Sequence, residues 1–267
     1  MPGRTWQYGN SKYDIEDDLA AGRELTPFKY NWNDFPELFA RSNDVPILQR
    51  ISDPILLALI RSYVPDQVTR GMEEWVGQWS HVLDQIFFFG SLGKYVELES
   101  ATDATMHGEY DYEKQTLYLD MTMRSGTPGD LVLDMLHGML HAFFAIFSDT
   151  TYRTVAARDG GLGRRSHGPP FCNALTTLEN ALRQAVTFPV PNTAFRYARQ
   201  SMLLGWWRPS VETMREWGAT EEQVQKWGPG GILGDPHGPL SERERLRILD
   251  GERDALERRE KMVIWGR

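Results

Sequence analysis

Two histidines stand four residues apart in the apolar run "LHGMLHAFF", residues 136–144. An α-helix repeats every 3.6 residues, so His137 and His141 would project from one face of a helix, where both can reach a single metal ion. Because Zn²⁺ takes three or four ligands, a third one must come from elsewhere in the chain. The spacing therefore predicts a metal site. The alternative is that each histidine only bonds a carbonyl or a carboxylate in the core.

A third histidine is available after a Gly- and Arg-rich loop. His167 opens "HGPPF", in which a glycine and two prolines lead into the next predicted helix. That position would hold the imidazole at a helix start, so we predict His167 as the third ligand. His237 is a rival in a turn-rich linker, and we expect His81 and His107 to be ordinary residues.

The two segments together resemble a known family. "DLVLDMLHGMLHAFFAIF", residues 130–147, followed by "HGPPF", is similar to the SprT-like zincin domain, which includes the Spartan-type DNA–protein crosslink proteases. That family carries a His-Glu-x-x-His helix and a later His-Gly-x-x-Phe segment. The resemblance covers about residues 66–185. It implies that His137, His141 and His167 bind Zn²⁺, and that Phe171 anchors the third-ligand segment.

The chain departs from that family at the position of the general base. Gly138 replaces the glutamate, and glycine can neither accept nor donate the proton that peptide hydrolysis requires. Losing a general base typically removes a factor of about 10²–10⁴ in rate. We expect Gly138 to leave open space beside the metal. The carboxylates that could substitute for the glutamate, or orient a ligand, are Glu97, Glu99, Glu109, Asp134, Asp149 and Asp159.

Composition excludes several other classes. The net charge of −8 disfavours broad binding to nucleic acid, although Arg153, Arg158, Arg164 and Arg165 could form a local basic patch. Cys172 is the only cysteine, so neither an intrachain disulfide nor the four-cysteine zinc ribbon of many family members can form. The first residues lack a signal-peptide core, and we find no uninterrupted apolar run that approaches membrane-spanning length. We therefore expect an intracellular, nuclear or cytoplasmic protein without membrane contact.

Helix and strand patterns surround the histidines. Helices are predicted from Asp53, from about 66, from Thr127 to Phe147 and from about 169. Two strands are predicted in "GKYVELES" and "YDYEKQTLYLDM", with a turn near residues 107–108 between them. The C-terminal part has two capping boxes, Thr220 with Gln223 and Ser241 with Glu244. Four tryptophans there are predicted to pack in a core, with an adhesive apolar surface as the alternative: Trp206, Trp207, Trp217 and Trp227.

These patterns predict an α+β fold, with a small β-sheet packed on the metal-bearing helices and additional helices at both ends. We expect an N-terminal arm or tail in residues 1–45, a zincin domain in 46–190 and a helical extension in 191–267. The leading functional hypothesis is a zinc-binding pseudoenzyme of the SprT-like family, holding a protein or peptide in its cleft. The alternatives are an active zinc metallopeptidase that uses another carboxylate, and a metal-free interaction scaffold.

Overall fold

The computed structural model describes residues 14–44, 71–100, 108–111, 113–121, 127–149, 167–203, 209–228 and 231. These residues form an α+β fold, as predicted, with one small sheet among several helices. The helices are α1 (Ile15–Ala20), α2 (Phe35–Ser42), α3 (Met72–Phe87), α4 (Pro128–Phe147), α5 (Pro169–Ala185), α6 (Ala194–Leu203), α7 (Val211–Glu216) and α8 (Glu221–Trp227). The strands are β1 (Glu97–Ser100), β2 (Glu109–Asp111) and β3 (Thr116–Leu119).

Helix α4 is the central element of the fold, and its bounds confirm the predicted helix. The Thr127 hydroxyl accepts from the Asp130 N–H, while the Asp130 carboxylate accepts from the Thr127 N–H, which satisfies two donors at the helix start. By length and composition alone, the stretch Gly129–Phe147 could cross a membrane, although Asp130 and Asp134 interrupt its apolar residues. Since 89% of its most apolar window is buried in the protein, α4 serves as a core helix.

The sheet has the order β1-β3-β2 and differs from the predicted pair of strands. The segment "YDYEKQTLYLDM" contains most of β2 and all of β3, because the Asp111 carboxylate accepts from the N–H groups of Glu113 and Lys114 and turns the chain. Gln115 follows with a φ of 55°. Strand β3 is therefore the central strand, parallel to β1 and antiparallel to β2, and its face packs on α4.

The N-terminal residues pack on the core, and the predicted arm contains the helices α1 and α2. On α2, Phe35 and Phe39 lie in a cluster of aromatic rings with Phe143 of α4, at centroid distances of 5.0 and 5.3 Å. Between α1 and α2, the N–H groups of Phe28 and Tyr30 donate to the carbonyls of Ile146 and Phe147. These bonds satisfy carbonyls that the end of α4 would otherwise leave without partners.

A buried carboxylate holds the N-terminal residues together. Asp18 accepts from Lys29 Nζ at 2.6 Å, from Arg23 Nε at 2.7 Å and from the Tyr30 hydroxyl at 2.8 Å. These bonds, that of Lys29 first, lower the pKa of Asp18 from 3.8 to about 2. These three donors thus compensate the negative charge of Asp18, whose burial without partners would cost free energy.

The density of contacts divides the chain into two compact units. The first comprises Met1–Ser166 and Asn173–Asn192, and the second comprises His167–Cys172 and Thr193–Arg267. Helix α5 runs continuously through the junction at Cys172 and Asn173. The predicted domain boundaries remain predictions.

In the second unit, α7 and α8 begin at capping residues. The reciprocal bonds of Thr220 and Gln223 at the start of α8 confirm the predicted capping box. Trp217 and Trp227 are each 1% exposed, which confirms that these two tryptophans pack in a core. Other predictions lie outside the described residues: the helix at Asp53, the Ser241 capping box, Trp206 and Trp207, His107 and His237, Asp159 and the four loop arginines.

Candidate metal centre

Helix α4 brings His137 and His141 together as the spacing predicted. Their Nε2 atoms are 2.8 Å apart, and their ring centroids are 4.7 Å apart. The two residues are only 6% and 8% exposed, so the imidazoles lie inside the protein. At 2.8 Å, a proton on one Nε2 would form a hydrogen bond to the other Nε2. If neither Nε2 carried a proton, the lone pairs of both would be directed into the same small space.

His167 lies two residues before the first residue of α5 and is 3% exposed. Its ring contacts that of Phe171, in the first turn of the helix, at a centroid distance of 5.1 Å in an edge-to-face arrangement. Burial lowers the pKa of His167 to about 3. The imidazole is therefore neutral near pH 7, which is the state that binds metals.

The three histidines form a cluster of potential ligand atoms. One ring nitrogen from each of His137, His141 and His167 lies within 4.8 Å of the other two. Three buried histidines at this separation could hold a metal ion. The described parts of the chain bring together all three residues that the sequence singled out.

Gly138 is closely packed, so the expectation of open space beside it is wrong. A methyl carbon built on Gly138 would overlap Leu117 Cδ1 of β3 and would lie 2.8 Å from the carbonyl oxygen of Gly108. Gly108 has a φ of 66°, and its own α-carbon faces the backbone of Asp134. The backbone of α4 therefore approaches the start of β2 at two glycines. Any side chain at position 138 would point into the sheet.

The carboxylates considered as substitutes for the missing glutamate lie in different places. Glu97 and Glu99 are exposed on β1, whereas Glu109, Asp134 and Asp149 are half-buried. The cluster found among the described residues consists of histidines alone. None of these acids is thus placed as a ligand beside the three imidazoles.

Two features of the site have no signal in the sequence. The approach of Leu117 and Gly108 to Gly138 depends on how the sheet meets α4, which spacing along the chain does not encode. Tyr197 of α6 lies with its ring centroid 5.0 Å from that of His167, at an interplanar angle of 30°. Thirty residues separate the two in sequence, and no motif connects them.

Comparison of the chain with protein-family models, with curated proteins and with solved structures gave no match in any of the three.

Proposed function

We propose that His137, His141 and His167 bind one divalent transition-metal ion, and that this ion is Zn²⁺. Three neutral imidazoles are ligands suited to zinc, copper, iron and nickel, and the SprT-like resemblance favours zinc among these. A Zn–N bond is about 2.0–2.1 Å long, so two nitrogens on one tetrahedral ion lie about 3.3 Å apart. The Nε2 atoms of His137 and His141 are 2.8 Å apart, and the potential ligand atoms of all three histidines lie within 4.8 Å of one another. The distance expected for two nitrogens on one ion falls between these two values.

The cost of burial supports the same proposal. Three polar rings that are less than 10% exposed need compensation for the hydration that they lose. A shared cation would compensate all three at once, and it would keep the two closely spaced rings on α4 from repelling through their lone pairs. This convergence of buried imidazoles is the observation that carries the proposal.

We further propose that the chain is a SprT-like domain that has lost peptide hydrolysis and acts as a binding module for a protein or peptide. A bound metal would act as a Lewis acid on a substrate carbonyl. Hydrolysis also needs a group that moves a proton, and residue 138 is a glycine whose free side is filled by Leu117 and Gly108. The net charge of −8 favours a protein or peptide partner over DNA.

Metal analysis of the purified protein tests the site. The unmodified chain should contain about one zinc per molecule, and His137→Ala and His167→Ala should each contain far less, because two remaining imidazoles bind weakly. His81→Ala is the matched control, since His81 is an exposed histidine on α3 and does not belong to the cluster. Clearly less than one metal ion per unmodified chain would reject the proposal.

A metal-free scaffold is the second candidate, and the 2.8 Å distance between the two Nε2 atoms favours it if the rings share a proton. In that case chelation would change neither the metal content nor the stability. Cleavage of a denatured protein by the unmodified chain, stopped by a chelator, would instead support an active metallopeptidase that uses another carboxylate.

A further inference from the structure

The imidazole of His167 contacts the rings of Phe171 and Tyr197, of which only Phe171 belongs to its own segment. Phe171 contacts it edge-to-face from the first turn of α5, and Tyr197 lies over it at 30° with 5.0 Å between centroids. Tyr197 is half-buried on α6. The imidazole therefore has an aromatic neighbour that the pattern "HGPPF" does not contain.

The backbone around His167 explains why its ring needs such support. His167 precedes α5, and the Cys172 N–H in the first turn donates to the carbonyl of Gly168, the residue after His167. The His167 carbonyl accepts from a weak sulfur donor, Cys172 Sγ, at 3.5 Å. A side chain at such a position can change rotamer unless its neighbours prevent it.

Contacts at the start of α6 fix the position of Tyr197. Cys172 Sγ also lies 3.7 Å from the carbonyl of Ala194, the first residue of α6. The N–H of Phe195 donates to the carbonyl of Trp217, and the N–H of Tyr197 donates to that of Thr193. The beginning of α6 is thereby held beside His167, with the phenol ring facing the imidazole.

We infer that Tyr197 is a positioning residue for the metal site, which orients His167 through the contact between their rings. The inference rests on the proposed function, since it concerns the third ligand of that site. Groups that orient metal-bound imidazoles usually do so by a hydrogen bond to the second ring nitrogen, and their loss typically lowers metal affinity about 10–100-fold. Here the two rings are in contact, with their centroids 5.0 Å apart, so we expect the ring rather than the hydroxyl to carry the effect.

Zinc affinity, measured by competition with a chelator of known strength, tests this. Tyr197→Ala should bind zinc at least about 10-fold more weakly than the unmodified chain, whereas Tyr197→Phe should stay within about threefold. Tyr197→Leu fills similar space without a ring and should resemble Tyr197→Ala. Equal affinity of Tyr197→Leu and the unmodified chain would overturn the inference, because space-filling would then be sufficient.

A matched control separates orientation from general loss of stability. Tyr95 is also half-buried and packs edge-to-face on Phe147 at 5.9 Å, so Tyr95→Ala removes a comparable aromatic contact. Its zinc affinity should not change. The absorption spectrum of the Co²⁺-substituted protein gives a second readout, which should change in Tyr197→Ala and be restored in Tyr197→Phe.

The outcomes distinguish the two proposals. If the unmodified chain binds no zinc, the proposed function and this inference both fail. If the unmodified chain and Tyr197→Ala bind zinc equally well and give the same Co²⁺ spectrum, only the role of Tyr197 is refuted.

Discussion

The α-carbon of Gly138 faces the side chain of Leu117 so closely that a methyl group at position 138 would overlap Leu117 Cδ1. Position 138, where the proposed SprT-like resemblance would place a general base, is thus a contact between helix and sheet. The glycine permits the close approach of α4 to the sheet.

Gly138→Ala should destabilise the protein. Adding a carbon to a filled core typically costs about 1–3 kcal/mol, here because Leu117 and the Gly108 backbone must move. The free energy of unfolding in urea measures the effect. Gly77→Ala on α3 is the control: a carbon there meets no atom within 4 Å, so alanine should stabilise by about 0.4–1 kcal/mol. A neutral or stabilising Gly138→Ala would contradict the close packing.

Gly138→Glu should not restore peptide hydrolysis. Its side chain would begin at the position that Leu117 Cδ1 occupies, so the carboxylate could be accommodated only if the sheet moved. We expect a less stable protein that still fails to cleave denatured protein substrates. Chelator-sensitive cleavage by Gly138→Glu, with the unmodified chain inactive, would contradict this expectation. It would show that the sheet moves to accommodate the carboxylate and that hydrolysis lacked only a general base.

Zinc should raise the melting temperature, because a ligand that binds only the native state stabilises it. At a free concentration of 100 times Kd the gain is about 2.7 kcal/mol. Scanning calorimetry with zinc and with chelator should show this shift for the unmodified chain and for His81→Ala. His167→Ala should lose most of it. A melting temperature that is the same with zinc and with chelator would favour the metal-free scaffold.

Asp18 should make stability fall in acid. Its folded-state pKa of about 2 lies below the ordinary 3.8, so its contribution is present above about pH 4 and is lost as the pH falls towards 2. Asp18→Asn should therefore unfold at lower urea concentration than the unmodified chain at pH 6, and the difference should shrink as the pH falls from 4 to 2. Both chains carry the same histidines, so metal release cancels in the comparison. A difference that is independent of pH would refute the assignment.

The start of α4 should depend on its capping residue. Thr127→Ala removes the hydroxyl that accepts from the Asp130 N–H and should cost about 1 kcal/mol of unfolding free energy. Thr127→Ser keeps an oxygen at the same position and should remain close to the unmodified value. Equal stability of the alanine and serine variants would show that the cap contributes nothing measurable.

Local signals in the sequence predicted much of what positions the histidines. The cap at Thr127 and the apolar run to Phe147 define α4, and the prolines after His167 define the start of α5, because capping and helical periodicity act over a few residues. The spacing of His137 and His141 then follows from helix geometry. These parts needed no knowledge of tertiary structure.

The parts that were wrong or missed depend on contacts between distant segments. The parallel pairing of β1 with β3 and the turn that separates β2 from β3 reflect tertiary packing, which alternation of apolar residues does not specify. The helix α2 lies in the segment that was predicted as an arm, and its Phe35 and Phe39 rings pack on Phe143 of α4, more than a hundred residues later. The contacts of Leu117 with Gly138 and of Tyr197 with His167 were missed for the same reason, because they join segments that are distant in sequence.

The bonds from Phe28 and Tyr30 to the end of α4 have a consequence for how the chain is made. Ribosomes synthesise the N-terminal residues first, yet the carbonyls of Ile146 and Phe147, to which these N–H groups donate, lie more than a hundred residues later. Contacts between residues this far apart in sequence form slowly, because the entropic cost of closing the long loop comes before the stabilisation that the contacts provide. The segment with Phe28 and Tyr30 thus leaves the ribosome before α4, and it cannot complete these hydrogen bonds until α4 has followed.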